Sequence, residues 1–298
     1  MSENVIVYHY NCADGFGALW AATSALVHPV EAIPGIYNAS APDLSRFADK
    51  HVYILDFSYP PPLLCAICAV ARSVTWLDHH VSAINAWREY VQQATSQAPA
   101  NLTTCLDNDY SGAVLAWRHF YDEEPPLMLR YIQDRDLWRF KMPNSREINA
   151  YIFSLSYDLG LWAELMAIQP DSPDYDSAVA SGRAILRKQA KDIDEIIGAA
   201  AGFVCLGDHK NIPVLNVPYM WASEACHKML QLNPAAPFAA SYFVSGKQAI
   251  FSLRSRNSED VDVSAVAVAR GGGGHKHAAG FSVPLKELSL ILTGEVST

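Results

Sequence analysis

Thr75-Trp76-Leu77-Asp78-His79-His80 is the stretch from which the rest of the chain is read. Val74 to Leu77 is a β-branched, aromatic and aliphatic run, the pattern of a short buried strand. It stops abruptly at one carboxylate and two imidazoles. In open α/β sheets, ligands collect at the carboxyl ends of strands. Carboxylate oxygen and imidazole nitrogen together suit Mn, Zn or Fe. A polar turn with a capping Asp and two exposed histidines would read the same way in isolation.

Upstream, the pattern of a strand running into a polar site residue occurs twice more. Val5-Ile6-Val7-Tyr8 ends at His9, and Asp14-Gly15-Phe16-Gly17 then leads into a helical run, Ala18 to Leu26. Val52 to Leu55 ends at Asp56, with Pro60-Pro61-Pro62 opening a helix to about Arg72. Val30 to Ile33 is a further strand. Strands alternating with helices predict an α/β fold with a largely parallel N-terminal sheet flanked by helices. In such a sheet His9, Asp14, Asp56 and Asp78-His79-His80 lie at one edge. Carboxylates that close repel one another unless cations neutralise them, and two divalent ions would do so. Scattered helix caps are the plainer alternative.

Downstream, helices are expected over Ser82–Val91, from Ser111 through Tyr121, from Pro126 through Asp136, and from Asn144 or Ser145 through Leu155. Gln92 to Ala100 is loop-like. Tyr175 to Ala201 is one long mixed-charge helix. The division is therefore a catalytic domain over 1–180, a helical linker over 181–201 and a smaller α/β domain over 202–298. In the last, Phe203–Leu206, Pro213–Val217, Phe238–Val244 and Gln248–Leu253 are strands, and Ser245-Gly246-Lys247 is a hairpin signal. Ala222–Leu232 is a helix, and Asp262 or Ser264 caps another that ends at Arg270. Gly271-Gly272-Gly273-Gly274 closes on His275. Successive N–H groups without side chains form an anion nest, although a linker has the same composition. Arg254 and Arg256 suit phosphate, or simply a solvated strand end.

Half of the 298 residues are apolar and 18% are charged, which excludes wholesale disorder. A net charge of -9 argues against a protein that coats long duplex nucleic acid. Met1-Ser2-Glu3-Asn4 lacks the basic start of a leader, and Leu63 to Ala71 is too short to span a bilayer, so no membrane association is expected. Six cysteines at 12, 65, 68, 105, 205 and 226 form no disulfide framework, which favours reduced thiols in the cytoplasm. Cys65-x-x-Cys68 reads as small core residues.

Together, Asp78-His79-His80, the His9…Asp14 segment, Asp56 and the Gly-rich stretch ending at His275 resemble the DHH-family phosphoesterases with a DHH-associated C-terminal domain. Ser252-Leu253-Arg254-Ser255 and Val263-Ser264-Ala265 are similar to that second domain, so the resemblance spans nearly the whole chain. It implies an active cleft between the two domains and hydrolysis of phosphoester bonds in small nucleotides. The substrates implied are short single-stranded oligoribonucleotides, 3′-phosphoadenosine phosphate or dinucleotides. Polyphosphate or pyrophosphate hydrolysis, or non-catalytic phosphate sensing, are the alternatives. It also implies two divalent ions, Mn first, with Mg, Co or Zn as alternatives. The metal ligands implied are His9, Asp14, Asp56, His79 and Asp134, with Asp136 as the substitute for Asp134. His80 would meet the phosphate or position water, and Asp78 would orient its neighbours. Arg254, Gly272, Gly273, Gly274 and His275 would bind substrate. A homodimer is left open. The family's first motif usually has two acids spaced D-x-D after its His. Here Cys12-Ala13-Asp14 keeps only the second, and His9 sits one residue closer; Cys12 is expected to be a neutral packing residue with water completing the coordination, the alternative being a direct thiolate ligand that tilts the first site toward Zn.

Overall fold

The computed structural model of the chain describes residues 3–27, 29–37, 39–93, 98–256 and 261–293. Its contacts divide the chain into two units, Met1–Leu186 and Arg187–Thr298.

The first unit opens with β1 (Asn4–His9), α1 (Ala13–Ala25), β2 (Val30–Gly35), β3 (His51–Leu55), α2 (Pro61–Val70), β4 (Ser73–Asp78), α3 (Val81–Gln93) and β5 (Leu102–Leu106). The strands pair in the order β2-β1-β3-β4-β5, all parallel. Both faces are covered, so neighbouring residues on a strand enter different cores. Ile6, Leu55 and Leu77 pack under α1, while Val5, Val7, Val52, Ile54, Val74 and Trp76 pack against α2 and Trp87 of α3. Four shorter helices complete the α1 side: α4 (Gly112–Phe120), α5 (Leu127–Asp136), α6 (Ser145–Ile152) and α7 (Leu159–Met166).

Several elements differ from expectation. Helix α1 starts at Ala13, not Ala18, so Asp14 stands in its first turn. Strand β5 was not expected, because Leu102-Thr103-Thr104-Cys105-Leu106 is an edge strand whose central side chains are exposed. Helix α7 was not expected either; Asp158 caps it by accepting the Leu161 N–H at 2.9 Å. Ser111 does precede α4, but its side chain makes no capping bond. Gln92 and Gln93 belong to α3, and residues 94–97 of the expected loop lie outside the described residues.

Helix α8 (Pro173–Ala200) contains the point where the contacts divide, between Leu186 and Arg187. The second unit continues with β6 (Gly202–Leu206), β7 (His209–Asn216), α9 (Ala222–Leu232), β8 (Phe238–Ser245), β9 (Gln248–Ser255), α10 (Val263–Val268), β10 (Gly273–His275), β11 (Ala278–Pro284) and α11 (Leu285–Thr293). Its sheet runs β10-β11-β9-β8-β7-β6, antiparallel except between β7 and β8. Gly246 turns the β8–β9 hairpin at φ 58°, a conformation glycine adopts without steric cost. Phe238, Phe251 and Phe281 fill one face of the sheet, and α9 with Ile193 of α8 covers the other. No helix among the described residues is long and apolar enough to cross a membrane.

Candidate metal centre

Strands β1, β3 and β4 are adjacent, so their carboxyl ends bring His9, Asp56 and Asp78 to one edge of the sheet. In this strand order the chain reverses its winding direction between β1 and β3, which opens a crevice there. Asp56 leaves the ladder in the left-handed region at φ 52°, with its N–H donating to the Leu77 carbonyl at 2.9 Å. Such strain in a non-glycine residue concentrates at functional sites.

One nitrogen is the focus of the cluster. His79 Nε2 lies 3.1 Å from Asp56 Oδ1, 3.5 Å from Asp136 Oδ2 and 3.7 Å from Asp14 Oδ2. Asp14 is set by helix packing, since its carboxylate accepts the N–H groups of Gly112 at 2.6 Å and Ala113 at 3.0 Å. These are the first unpaired donors of α4, where the helix dipole favours negative charge. The approach needs a glycine: a Cβ on Gly112 would stand 2.7 Å from Asp56 Cγ. On the other side of α1, a Cβ on Gly15 would stand 2.7 Å from His9 Cβ.

Asp78 is fully buried and works as a bracket. It accepts the His79 N–H at 2.7 Å, the His80 N–H at 3.3 Å and the hydroxyl of Ser58, and it pairs with His80 Nδ1 at 2.7 Å. The Trp76 indole N–H reaches Ser58 Oγ at 3.1 Å and so holds the hydroxyl in place.

The electrostatics follow from this crowding. Burial pushes the Asp14 carboxyl well above the usual range, and Asp56 and Asp136 add to it. Burial also acts to raise Asp56, but the His79 and His9 imidazoles that face it outweigh burial and hold its carboxyl down. Burial acts to lower both imidazoles of the His79-His80 pair. The bond to Asp56 and the neighbouring carboxylates overcome it at His79, raised to about 10, and the bond to Asp78 does so at His80, raised to about 9. Three carboxylates around one imidazole are an anionic nest that a cation would neutralise. The donor sets that come together are Asp56, Asp78, His79 and His80; His9, Cys12 and Asp56; and Asp14, His79 and Asp136.

No family model matches the sequence. A protein of Acanthamoeba polyphaga mimivirus, the uncharacterized protein R106, is 30% identical over 298 residues, covering 94% of this chain and 67% of that protein. A solved structure, described as the DHH domain of a member of a ribosomal protein family, superposes with a TM-score of 0.66 at 13% identity. That superposition covers 98% of this chain and 85% of the other. The chain belongs to the family of R106 and carries the DHH-domain fold. A pGpG-specific phosphodiesterase from Vibrio cholerae covers 96% of this chain and 94% of its own at 13% identity, but its TM-score of 0.46 is too low to bear on the reading.

Within this DHH fold the two acids weighed on α5 stand in different places. Asp134 does not face His79. Its oxygens accept the N–H groups of Lys141 at 2.9 Å and Met142 at 3.1 Å, tying down the segment after the helix. Asp136, two residues on, stands beside His79 instead. On a helix that step is about 200° of rotation, so the two carboxylates leave on opposite sides.

In the second unit, Arg254 and His275 each stand opposite Ala278 of β11, so the three share one row and one sheet face. Arg254 donates to Ser223 Oγ through Nε at 3.2 Å and Nη2 at 3.0 Å. The glycine run is not an open nest. Gly271 and Gly272 donate to the Val268 and Ala267 carbonyls at the end of α10, and Gly273 to His275 pair with β11. Gly272 and Gly274 are glycines for packing reasons: a Cβ would stand 2.7 Å from Phe281 Cβ or 2.6 Å from Ala278 O, respectively. Arg256 is engaged by the carbonyls of Ala236, Leu230 and Asn233 around the end of α9, which makes it a structural residue.

The sequence reading missed three groups that shape the centre: Ser58, Gly112 and Tyr37. Tyr37 packs edge-on to His9 at 5.3 Å and to His80 at 6.2 Å between ring centroids. Ser58 carried a signal, since it lies two residues after Asp56 in the same strand-end loop.

Proposed function

We propose that this protein hydrolyses phosphoester bonds in small nucleotide substrates, using divalent metal ions held by His9, Asp14, Asp56, His79 and Asp136. The observation that carries the proposal is His79 Nε2 within 3.7 Å of three separate carboxylates. The donors fit a metal, because Asp56 Oδ2 and His9 Nδ1 are both buried with no hydrogen-bond partner among the described residues. Oxygen and nitrogen donors together suit Mn, Zn or Fe, and the carboxylate-rich set around His79 suits Mn. Bound there, such ions would neutralise phosphoryl oxygens and lower the pKa of a water molecule. The chain's own work is placement. Asp78 fixes the His80 ring through Nδ1, presenting its other nitrogen to a phosphate oxygen. Arg254 and His275, side by side on the second unit's sheet, supply cationic and hydrogen-bonding groups for a further phosphate.

The test is chelation and metal add-back over a panel of short oligoribonucleotides, dinucleotides and 3′-phosphoadenosine phosphate, with polyphosphate and pyrophosphate alongside. Release of mononucleotide or phosphate that vanishes on chelation and returns with Mn is the expected result. Full turnover by protein shown to be metal-free by elemental analysis would reject it.

A further inference from the structure

The position two residues before Asp14 is a cysteine, and the structure gives that cysteine two partners of a particular kind. A ring nitrogen of His9, Sγ of Cys12 and a carboxylate oxygen of Asp56 all lie within 4.8 Å of one another. His9 Nδ1 and Asp56 Oδ2 face each other at 3.4 Å, yet both atoms are buried and neither has a hydrogen-bond partner among the described residues. Asp56 is 1% exposed. The imidazoles of His9 and His79 attract this carboxylate, but its Oδ2, removed from water, is left without a hydrogen bond among the described residues, and a desolvated oxygen in that state is destabilising. An inert, half-buried thiol beside these atoms would leave that oxygen without a partner, whereas a shared cation would supply one.

The local backbone holds the thiol in place. Cys12 is the extended residue that precedes α1, at φ -128° and ψ 134°, and its side chain makes no capping bond. Its thiol is in no disulfide. Gly15 lets the first turn of α1 sit against His9, since any Cβ there would collide with it.

We infer that His9, Cys12 and Asp56 form a thiolate-containing metal site that takes Zn(II) in preference to Mn(II), so the two metal positions of the centre differ in chemistry. This rests on the proposed metallohydrolase reading and specifies one of its sites. One thiolate, one imidazole and one carboxylate are all zinc donors, and three protein ligands leave the fourth position for water or substrate, as in catalytic zinc sites. The sulfur is what shifts the choice, since Mn(II) prefers oxygen ligands and thiolate favours Zn(II). The remaining donors, Asp14, His79 and Asp136, contain no sulfur and suit Mn(II).

The experiment uses the full chain, stripped of metal and titrated with Co(II) as a spectroscopic stand-in for Zn(II). A thiolate-to-cobalt charge-transfer band in the near ultraviolet is expected in wild type. Zn(II) should abolish it at one equivalent per chain, while Mn(II) in excess should not. Cys12→Ser should lose the band and bind one Zn(II) fewer. Cys12→Asp should recover that equivalent without the band and let Mn(II) compete for it. Co(II) bound stoichiometrically without a charge-transfer band, or unchanged zinc content in Cys12→Ser, would overturn the thiolate assignment while leaving the metallohydrolase reading intact. Failure of wild type to bind any of the three ions would overturn both. The wild-type spectrum needs no substitution, so a poorly folding variant does not remove the test.

Discussion

Asp136→Asn removes one of the three carboxylates around His79 and is expected to lower turnover by about 10²- to 10³-fold, the scale of losing a group that stabilises charge in the transition state. Bound metal should also fall. Asp134→Ala should do the reverse. It strips the acceptors from the Lys141 and Met142 N–H groups, destabilising the fold by about 1–3 kcal/mol, with metal content unchanged. Elemental analysis beside thermal melts separates the two; metal loss in Asp134→Ala would restore it to the centre. The histidines make a second prediction. In metal-free protein His79 and His80 are raised above an unfolded value near 6.5, to about 10 and about 9. Groups raised on folding stabilise fully below the unfolded value and lose that contribution as pH climbs through the folded one. The chelated protein should therefore melt progressively lower between pH 6.5 and about 10. Because a metal ligand must be a neutral imidazole, metal uptake near neutral pH should release protons, read by calorimetry in buffers of different ionisation enthalpy. Uptake with no buffer dependence would argue against His79 as a ligand.

At the scale of elements, the centre depends on α4 reaching the sheet edge. Its first two N–H groups hold Asp14, and Gly112 lies against Asp56. Gly112→Ala should therefore push α4 from the sheet, moving two acids at once, with loss of metal and activity. Gly198→Ala is the control on a different helix. It lies exposed in α8 with nothing within 4 Å of an added Cβ, so it should stabilise the protein by up to about 1 kcal/mol through helix propensity. Full metal content in Gly112→Ala would show that the crowding around Asp56 relaxes freely. Ser58 belongs to the same scale: Trp76 on β4 reaches back to the loop after β3, so Asp78 is held by two strands.

For the whole molecule, the division between Leu186 and Arg187 also divides the roles proposed above. Among the described residues the candidate metal donors belong to the first unit, while Arg254 and His275 share a sheet row in the second. Arg254→Ala and His275→Ala are each expected to raise KM by about 10- to 100-fold, the range of a lost hydrogen bond to a charged group, with metal content unchanged. Metal loss in either variant would reverse that assignment of roles. What the sequence determined by itself is local. Apolar runs stopping at His9, Asp56 and Asp78 show where strands end, and an uninterrupted apolar strand already implies cover on both faces. What only the tertiary structure decided depends on rotation and distance. Asp134 and Asp136 stand on either side of Arg135 and leave α5 on different faces, and how that helix packs against α1 sets which face meets His79. The glycines before His275 have the composition of a phosphate loop, but pairing with β11 and the end of α10 takes up their space and part of their hydrogen bonding. Cys12 is a single small side chain until the ends of β1 and β3 bring His9 and Asp56 beside it, because the closeness of donors separated along the chain is a property of the fold.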